Sequence, residues 1–471
     1  MFERFTDRCR KTIALANRQA EELGHDALTP AHLVLGFLAE GTGSAAKVLR
    51  QSGVTLEAAR TQVARRKPAI GGGLTAPLPQ GDSFKQAILS AIEVARERGQ
   101  HWIGTEHLLL GILRDSDSDG AQILAALQVN LDSIRQETDQ IVHDRRDSTV
   151  MQVGIVGVSG YGGGEALRLC AAHPNFQVVY VAGEGSAGQK LSDRFPGMGR
   201  LGSLTIQKWN PQELPALDVL FASLPTGESK TALAAVAEKT KIVDIGGDYR
   251  FVEGWTYGLA DIWPDKIRAA TRVANPGCYA SATLAALAPL IVERLIDPAS
   301  IIIDAKSGVS GAGRGGGTTL GYADVNEDVS AYGLFKHAQV REITEALSSL
   351  HGSSVSPPLF TPHLIPMTRG ILATCYASGS ATTEQCLAAA RNFYGNKPFL
   401  RIVDQPPHSK WATGSNLAFV SYRADVQRKQ IIALGAIDNL GKGAAGQAVQ
   451  NANLMLGLDE RTGLDGAPLW P

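Results

Sequence analysis

The sequence predicts an all-helical repeat domain followed by a doubly wound α/β domain with a parallel sheet. Three observations carry this. A stretch containing His32 recurs around His107; a short apolar strand from Met151 runs into a glycine-rich turn and a helix; and Cys278 follows an Asn-Pro-Gly turn at the head of a long apolar stretch.

The repeat comes first in the chain. His25-Asp26-Ala27-Leu28-Thr29-Pro30-Ala31-His32-Leu33-Val34-Leu35-Gly36-Phe37-Leu38 returns as His101-Trp102-Ile103-Gly104-Thr105-Glu106-His107-Leu108-Leu109-Leu110-Gly111-Ile112-Leu113. Each copy follows an amphipathic helical stretch (14–23 and 88–98) and leads into a further one (45–51 and 121–127), so two similar helical bundles are expected over residues 1–143. Thr29 with Pro30, and Thr105 with Glu106, suit an N-cap and a first turn. His32 and His107, each opening a leucine-rich helix, are expected to be satisfied core residues. Gly71-Gly72-Gly73 reads as a flexible connector between the copies, and 144–150 as a short charged linker.

At 151–156 an apolar strand enters Gly157-Val158-Ser159-Gly160-Tyr161-Gly162-Gly163-Gly164, with a helix expected over 166–172. Glycines in a strand-to-helix turn let backbone amides approach a pyrophosphate at a helix N-terminus. Gly157, Ser159, Gly160, Tyr161, Gly162 and Gly163 are therefore candidate dinucleotide contacts. Further strands are expected at 177–182, 219–225 and 241–245, alternating with helices, which is the pattern of a parallel doubly wound sheet.

The spacing of Tyr279, Leu284, Leu287, Leu290 and Leu295 predicts a helix, and Asn275-Pro276-Gly277 a turn, so Cys278 should sit where the turn enters the helix. First-turn amides and the helix dipole there favour thiolate, the form an acyl-transferring cysteine requires. Lys306-Ser307-Gly308-Val309-Ser310-Gly311-Ala312-Gly313-Arg314 combines amides, hydroxyls and a cation, a cradle for phosphate or carboxylate in which Ser307, Ser310 and Arg314 are candidate ligands. Arg369 is a second candidate anion partner.

Composition narrows the classes. The chain has 471 residues, 44% apolar and 19% charged, with a net charge of -1, which gives no electrostatic reason to expect nucleic acid or an anionic membrane. Five dispersed cysteines without a CxxC pair indicate neither a disulfide framework nor a zinc site, so no metal is expected. The N-terminus lacks the apolar core of a signal peptide and no stretch reaches a membrane span; a reducing cytoplasm is the expected setting.

Residues 2–143, with TEHLLLGIL as their most specific part, resemble the N-terminal repeat domain of Clp-type unfoldases. That domain captures substrates and adaptors, which implies a possible protein partner here. No GxxxxGK[ST] phosphate loop occurs anywhere in the chain, so the ATPase that normally uses such a domain is absent. In some relatives an acidic residue before the repeated histidine helps bind phosphorylated arginine; that position holds Ala31 in the first copy and Glu106 in the second.

Residues 151–471 resemble the N-acetyl-gamma-glutamyl-phosphate reductase family through GVSGYGGGEALRL, LFASLPTGES, VDIGGDYRF, YGLAD, NPGCYASATLAALAPL, DAKSGVSGAGR, TPHLIPMTRGIL, TGSN and IDNLGKGAAGQAVQNANLMLGL, in that order. The resemblance implies a Rossmann-type NAD(P)-binding domain over 151–277, an inserted α+β catalytic and oligomerisation domain over 278–437 of the semialdehyde dehydrogenase type, and a long C-terminal helix over 438–471 returning to the nucleotide domain. It implies an arginine-biosynthetic oxidoreductase, a homo-oligomer. Its Cys278 would attack an acyl phosphate and expel phosphate, and the thioester would then be reduced to an aldehyde. Asn439 and Gln447 become candidate cofactor contacts. Two histidines compete for the acid/base role: His337, where the family usually shows HRHxPEI, is favoured over His363 in TPHLIPM, which is otherwise a candidate substrate contact. The second histidine of that motif is Gln339 here, and its proline is Arg341.

Relatives commonly place Ser and Arg after the second strand to hold the 2′-phosphate of NADP. This chain has Gly183-Glu184-Gly185-Ser186, so Ser186 is a candidate contact, NADP the expected cofactor and NAD an open alternative. A reductase acting on a carrier-bound aminoadipyl or glutamyl phosphate shares these motifs, and a Clp-type adaptor with a degenerate enzyme half is the alternative from another class. Aspartate-semialdehyde dehydrogenase shares the chemistry, but KGAAGQAVQN argues against it.

Overall fold

Helices build the first part of the chain in the computed structural model, which describes residues 5–66, 78–98, 100, 103–148, 150–314, 320–395 and 397–470. Gly71-Gly72-Gly73, His101, Trp102 and Thr149 lie outside the described residues. Four helices, α1 (Asp7–Glu22), α2 (Pro30–Glu40), α3 (Ser44–Gln51) and α4 (Leu56–Arg66), are repeated as α5 (Asp82–Glu97), α6 (Thr105–Arg114), α7 (Asp119–Ala126) and α8 (Leu131–Ser148). The sequence pattern shows the first three of each set; α4 and α8 bury only a narrow stripe, and their mixed charge hides it. Helix α8 continues through 144–148, most of the stretch expected as linker.

His32 and His107 are 0% and 1% exposed, and each Nδ1 accepts a backbone N–H at the head of its own helix, from Thr29 and from Gly104, both at 3.0 Å. They are capping groups inside a core. Thr105 is not the N-cap: Gly104 takes that place and Thr105 begins the helix. Glycines at Gly36 and Gly111 let paired helices touch, since an added Cβ would lie 2.5 Å from the Thr12 carbonyl oxygen and 2.7 Å from that of Ala87.

Contacts cluster the chain into Met1–Val150 and Met151–Pro471. The second unit opens with β1 (Met151–Val156), α9 (Tyr161–Ala172), β2 (Phe176–Ala182), α10 (Leu191–Arg194), β3 (Val219–Ala222), α11 (Ser229–Leu233), β4 (Lys241–Asp244), β5 (Thr256–Tyr257), α12 (Pro264–Arg268) and β6 (Arg272–Ala274). The strands form one parallel sheet in the order β2-β1-β3-β4-β6-β5. Helix α9 begins five residues earlier than the pattern suggests, with three glycines in its first turn. The reason is close packing, for a Cβ at Gly163 would lie 2.1 Å from the Gly157 carbonyl oxygen.

After the cysteine turn come α13 (Cys278–Val292), β7 (Ile302–Gly308), α14 (Tyr322–Val325), β8 (Ser330–Ala331), α15 (Gln339–His351), β9 (Leu359–Ile365), β10 (Ile371–Ser378), α16 (Thr383–Tyr394), β11 (Leu400–Ile402), β12 (Ala418–Asp425) and β13 (Gln430–Ile437). They make a mixed sheet in the order β11-β12-β13-β10-β7-β9-β8. Helix α13 is apolar all round because it is enclosed by this sheet on one side and α15 and α16 on the others. At Gly435 an added Cβ would lie 2.2 Å from the Ala282 carbonyl oxygen, so glycine sets how near the helix lies to the sheet.

After β13 comes a π turn (Gly441–Ala445) leading into α17 (Gly446–Met455), shorter than the long helix expected. It packs against α9 and α12 of the parallel sheet domain, while its π turn touches α13.

Candidate active site

Cys278 is the first residue of α13, with Gly277 as N-cap, and the turn before it is anchored from several sides. Asn275 is fully buried; its Nδ2 donates to the Ala444 carbonyl at 3.0 Å and its Oδ1 accepts from Asn451 at 2.9 Å. Gly277 N–H donates to Glu342 Oε1 at 2.8 Å. Glu342 also accepts the Tyr257 hydroxyl at 2.7 Å and pairs with Arg250 at 2.9 Å, whose Nε donates to the Asn275 carbonyl. Gly443 of the π turn closes the last side: a Cβ there would lie 2.8 Å from Cys278 Cβ.

Cys278 is half-buried, whereas the other four cysteines are buried. Burial pushes its thiol above the ordinary range, opposed by the Gln339 carboxamide, the Arg250 charge and the Tyr279 amide. Burial thus works against the thiolate that the first-turn amides and helix dipole favour. Gln339, the first residue of α15, accepts the Ala280 N–H at 3.0 Å and places Nε2 4.0 Å from Cys278 Sγ.

The two histidines separate. His337 packs edge-on against Tyr279, Tyr332 and Phe360, and its Nδ1 accepts the Gln339 N–H at 3.3 Å. Burial, helped by the Arg250 charge, holds its pKa below the usual value. His363 lies three residues along β9 from Phe360 and so on the opposite face of the sheet. There its Nδ1 sits 3.2 Å from Asp304 Oδ1, beside Lys306. Strand alternation turns His363 away from the cysteine.

A cavity of about 1600 Å³ runs from the glycine turn to His337. Gly157, Ser159, Gly160, Tyr161 and Gly162 line it, as do Gly311 to Arg314, Arg250, His337 and Gln339. Gly157 has φ 78°, and Gly160, the N-cap of α9, offers no side chain to the first-turn amides. These amides, open to the cavity, fit the pyrophosphate of a dinucleotide. Arg314 reaches the same space and stacks over the Tyr161 ring at 5.1 Å.

Other candidates lie behind this surface. Gly163 is a packing glycine within the turn. Ser186 is 3% exposed because the turn at 184–186 points it inward to bond Ser159, leaving Glu184 on the cavity. Asn439 is buried, donating to Ser310 Oγ at 2.9 Å and accepting the Gly370 N–H at 2.8 Å. Gln447 is buried on the Gly258 carbonyl at 3.0 Å. Ser307 and Ser310 are likewise buried, so Gly311, Ala312 and Gly313, rather than those hydroxyls, line the cavity. Arg369 pairs with two buried carboxylates, Glu165 at 2.7 Å and Asp438 at 2.9 Å, so its charge is already met. Arg250 and Glu342 were not singled out from the sequence. Arg250 lies within the quoted VDIGGDYRF, and Glu342 falls one helical turn after Gln339, but only the fold brings both to the cysteine turn.

Three family models match the chain. "Semialdehyde dehydrogenase, NAD binding domain" covers 152–270, "Semialdehyde dehydrogenase, dimerisation domain" covers 278–439, and "Clp repeat (R) N-terminal domain" covers 4–71 and 81–153. Among curated proteins, N-acetyl-gamma-glutamyl-phosphate reductase of Bradyrhizobium sp. (strain ORS 278) is 63% identical over 322 residues, spanning 68% of this chain and 99% of that one. The protein of the same name from Methylobacterium sp. (strain 4-46) is 62% identical over 323 residues, with the same coverages. Among solved structures, aspartate semialdehyde dehydrogenase II from Vibrio cholerae matches with a TM-score of 0.53 and 18% identity over 65% of this chain and 98% of that one, a likeness of fold.

Proposed function

The chain belongs to the N-acetyl-gamma-glutamyl-phosphate reductase family, and from that membership we propose that residues 151–471 reduce N-acetyl-L-glutamyl 5-phosphate to its semialdehyde with release of phosphate. One observation carries the reading for this chain: a cysteine heading a buried helix lies against Gln339, which lines a cavity that also presents a histidine, an arginine and a dinucleotide cradle.

In this reading Cys278 Sγ adds to the acyl-phosphate carbonyl, the C–O bond to phosphate breaks, and an enzyme-bound thioester remains. The bound nicotinamide supplies the hydride that reduces that thioester. Amides at the start of α13 stabilise the oxyanion at both additions, and collapse of the thiohemiacetal returns the thiolate with the aldehyde. His337 exchanges the protons; with Nδ1 occupied by the Gln339 N–H, Nε2 is the nitrogen for that exchange. Arg314, at the end of the glycine turn that lines the cavity, holds the phosphate.

NADP is the proposed cofactor. Glu184, exposed on the cavity at the end of β2, offers a carboxylate to a ribose hydroxyl and supports NAD as the second reading. The cavity walls carry five Lys or Arg residues and five Asp or Glu residues, a balance that favours a free substrate over an acidic carrier protein. The dimerisation-domain match and the half-exposed outer face of β10 support a homo-oligomer. We infer that the helical repeats bind protein partners, supported by their family match. No helix among the described residues is long and apolar enough to cross a membrane.

The test is phosphate-dependent reduction of NADP, and separately of NAD, with N-acetylglutamate semialdehyde, using the intact chain and Cys278→Ala. Turnover abolished in the variant is expected. Absence of turnover with either cofactor in the intact chain would sink the reading.

A further inference from the structure

We propose that Gln339 is a positioning residue for the nucleophile: its carboxamide is clamped over the start of α13 and aims an N–H at the Cys278 sulfur, favouring the anionic sulfur. The proposal rests on the reading of Cys278 as the nucleophile.

The orientation of the amide follows from its neighbours. Ala280 N–H, a donor, lies 3.0 Å from Oε1; turning the amide over would set an NH₂ against that N–H, so the nitrogen is the end left for the sulfur. Nε2 lies 4.0 Å from Sγ, the outer reach of an N–H to sulfur contact. Packing holds it there, because the carboxamide lies on Gly277, where an added Cβ would sit 2.4 Å from its carbon. Gln339 is also fixed at its backbone, as the first residue of α15, and one turn later Glu342 grips the Gly277 N–H. The first turn of α15 therefore holds the cysteine turn from two points.

The other groups around the sulfur make this donor matter. Glu342 on α15 opposes negative charge, and Arg250, after β4, favours it but is spent on Glu342. The Tyr279 and Tyr332 hydroxyls bond each other at 3.0 Å. The π turn presents Gly443, which has no side chain to offer the sulfur. A glutamine carries no proton to or from the thiol, so its effect is through the hydrogen bond.

The experiment measures the rate of iodoacetamide alkylation of Cys278 against pH in the full chain, read by peptide mass, for the wild type, Gln339→Glu, Gln339→Met and Gln339→His. The glutamate keeps the acceptor for Ala280 and loses the donor; the methionine keeps the volume and loses both; the histidine restores an N–H. The alkylation midpoint should rise by about one unit in Gln339→Met, with roughly tenfold slower alkylation below it, and further in Gln339→Glu. Gln339→His should return most of the shift, and kcat should follow the same order while cofactor KM holds. Unchanged midpoints in Gln339→Glu and Gln339→Met, with wild-type circular dichroism, would overturn the proposal. The alkylation readout needs no turnover, so a Cys278→Ser variant that still turned over would count against the nucleophile reading alone.

Discussion

Glu342 accepts the Gly277 N–H at 2.8 Å, so a buried carboxylate on one helix sets where the cysteine helix begins. The same carboxylate takes the Tyr257 hydroxyl and the Arg250 guanidinium. Removing it strands a partly buried cation and a backbone donor together. Glu342→Ala should cost about 3 kcal/mol in urea unfolding and lower kcat at least about tenfold. A variant of wild-type stability and turnover would show that the turn holds itself.

Arg369 bridges α9 to the segment after β13 through Glu165 and Asp438. Burial works against the Glu165 charge, yet Arg168 and Arg369 hold its carboxyl below the ordinary range. Arg369→Ala should destabilise the chain by about 3 kcal/mol and leave the KM for the acyl phosphate within about twofold. A large KM rise at unchanged stability would instead make Arg369 a ligand.

The two histidines predict unequal losses. His337→Asn should lower kcat by about 10²- to 10⁴-fold, the usual scale for an acid/base group. His363→Asn, on the far face of the sheet, should stay within about threefold. Steady-state kinetics on both variants decides between them, and the reverse order would exchange their roles.

Asp244 and His173 give stability opposite pH slopes. Burial raises the Asp244 carboxyl to about 6, partly offset by Ser229 and the Gly246 amide. The folded state then binds this proton more tightly than the unfolded one, so the charge costs stability above about pH 6 and the cost disappears as pH falls toward 4. Asp244→Asn keeps the Oδ1 acceptor for Ser229 and Gly246 and should add up to about 2 kcal/mol at neutral pH, none below pH 4. Burial lowers His173 to about 4, against its bond to Asn453. Its contribution is present above the unfolded value near 6.5 and is lost as pH falls toward 4, a loss His173→Gln should remove. Unfolding free energies measured across that range test both signs.

The sequence by itself determined what depends on near neighbours. Helix and strand order, the two repeated core histidines and the cysteine at a helix start all follow from periodicity and turn chemistry within a few residues. Tertiary structure decided which polar groups meet the cavity. Asn439, Gln447, Ser307, Ser310 and Arg369 carry the right chemistry for ligands, but the first four are buried and Arg369 is committed to the carboxylates of Glu165 and Asp438. Parity along β9 separates His363 from Phe360, yet parity does not say which face the cysteine helix will cover. Gln339 and Glu342 share one helix face, and their meaning came only when that face packed on the turn at Gly277. Local hydrogen bonds and hydrophobic spacing are written in short segments, whereas the desolvation of Cys278 and the company of its sulfur arise only from chain segments brought together by the fold.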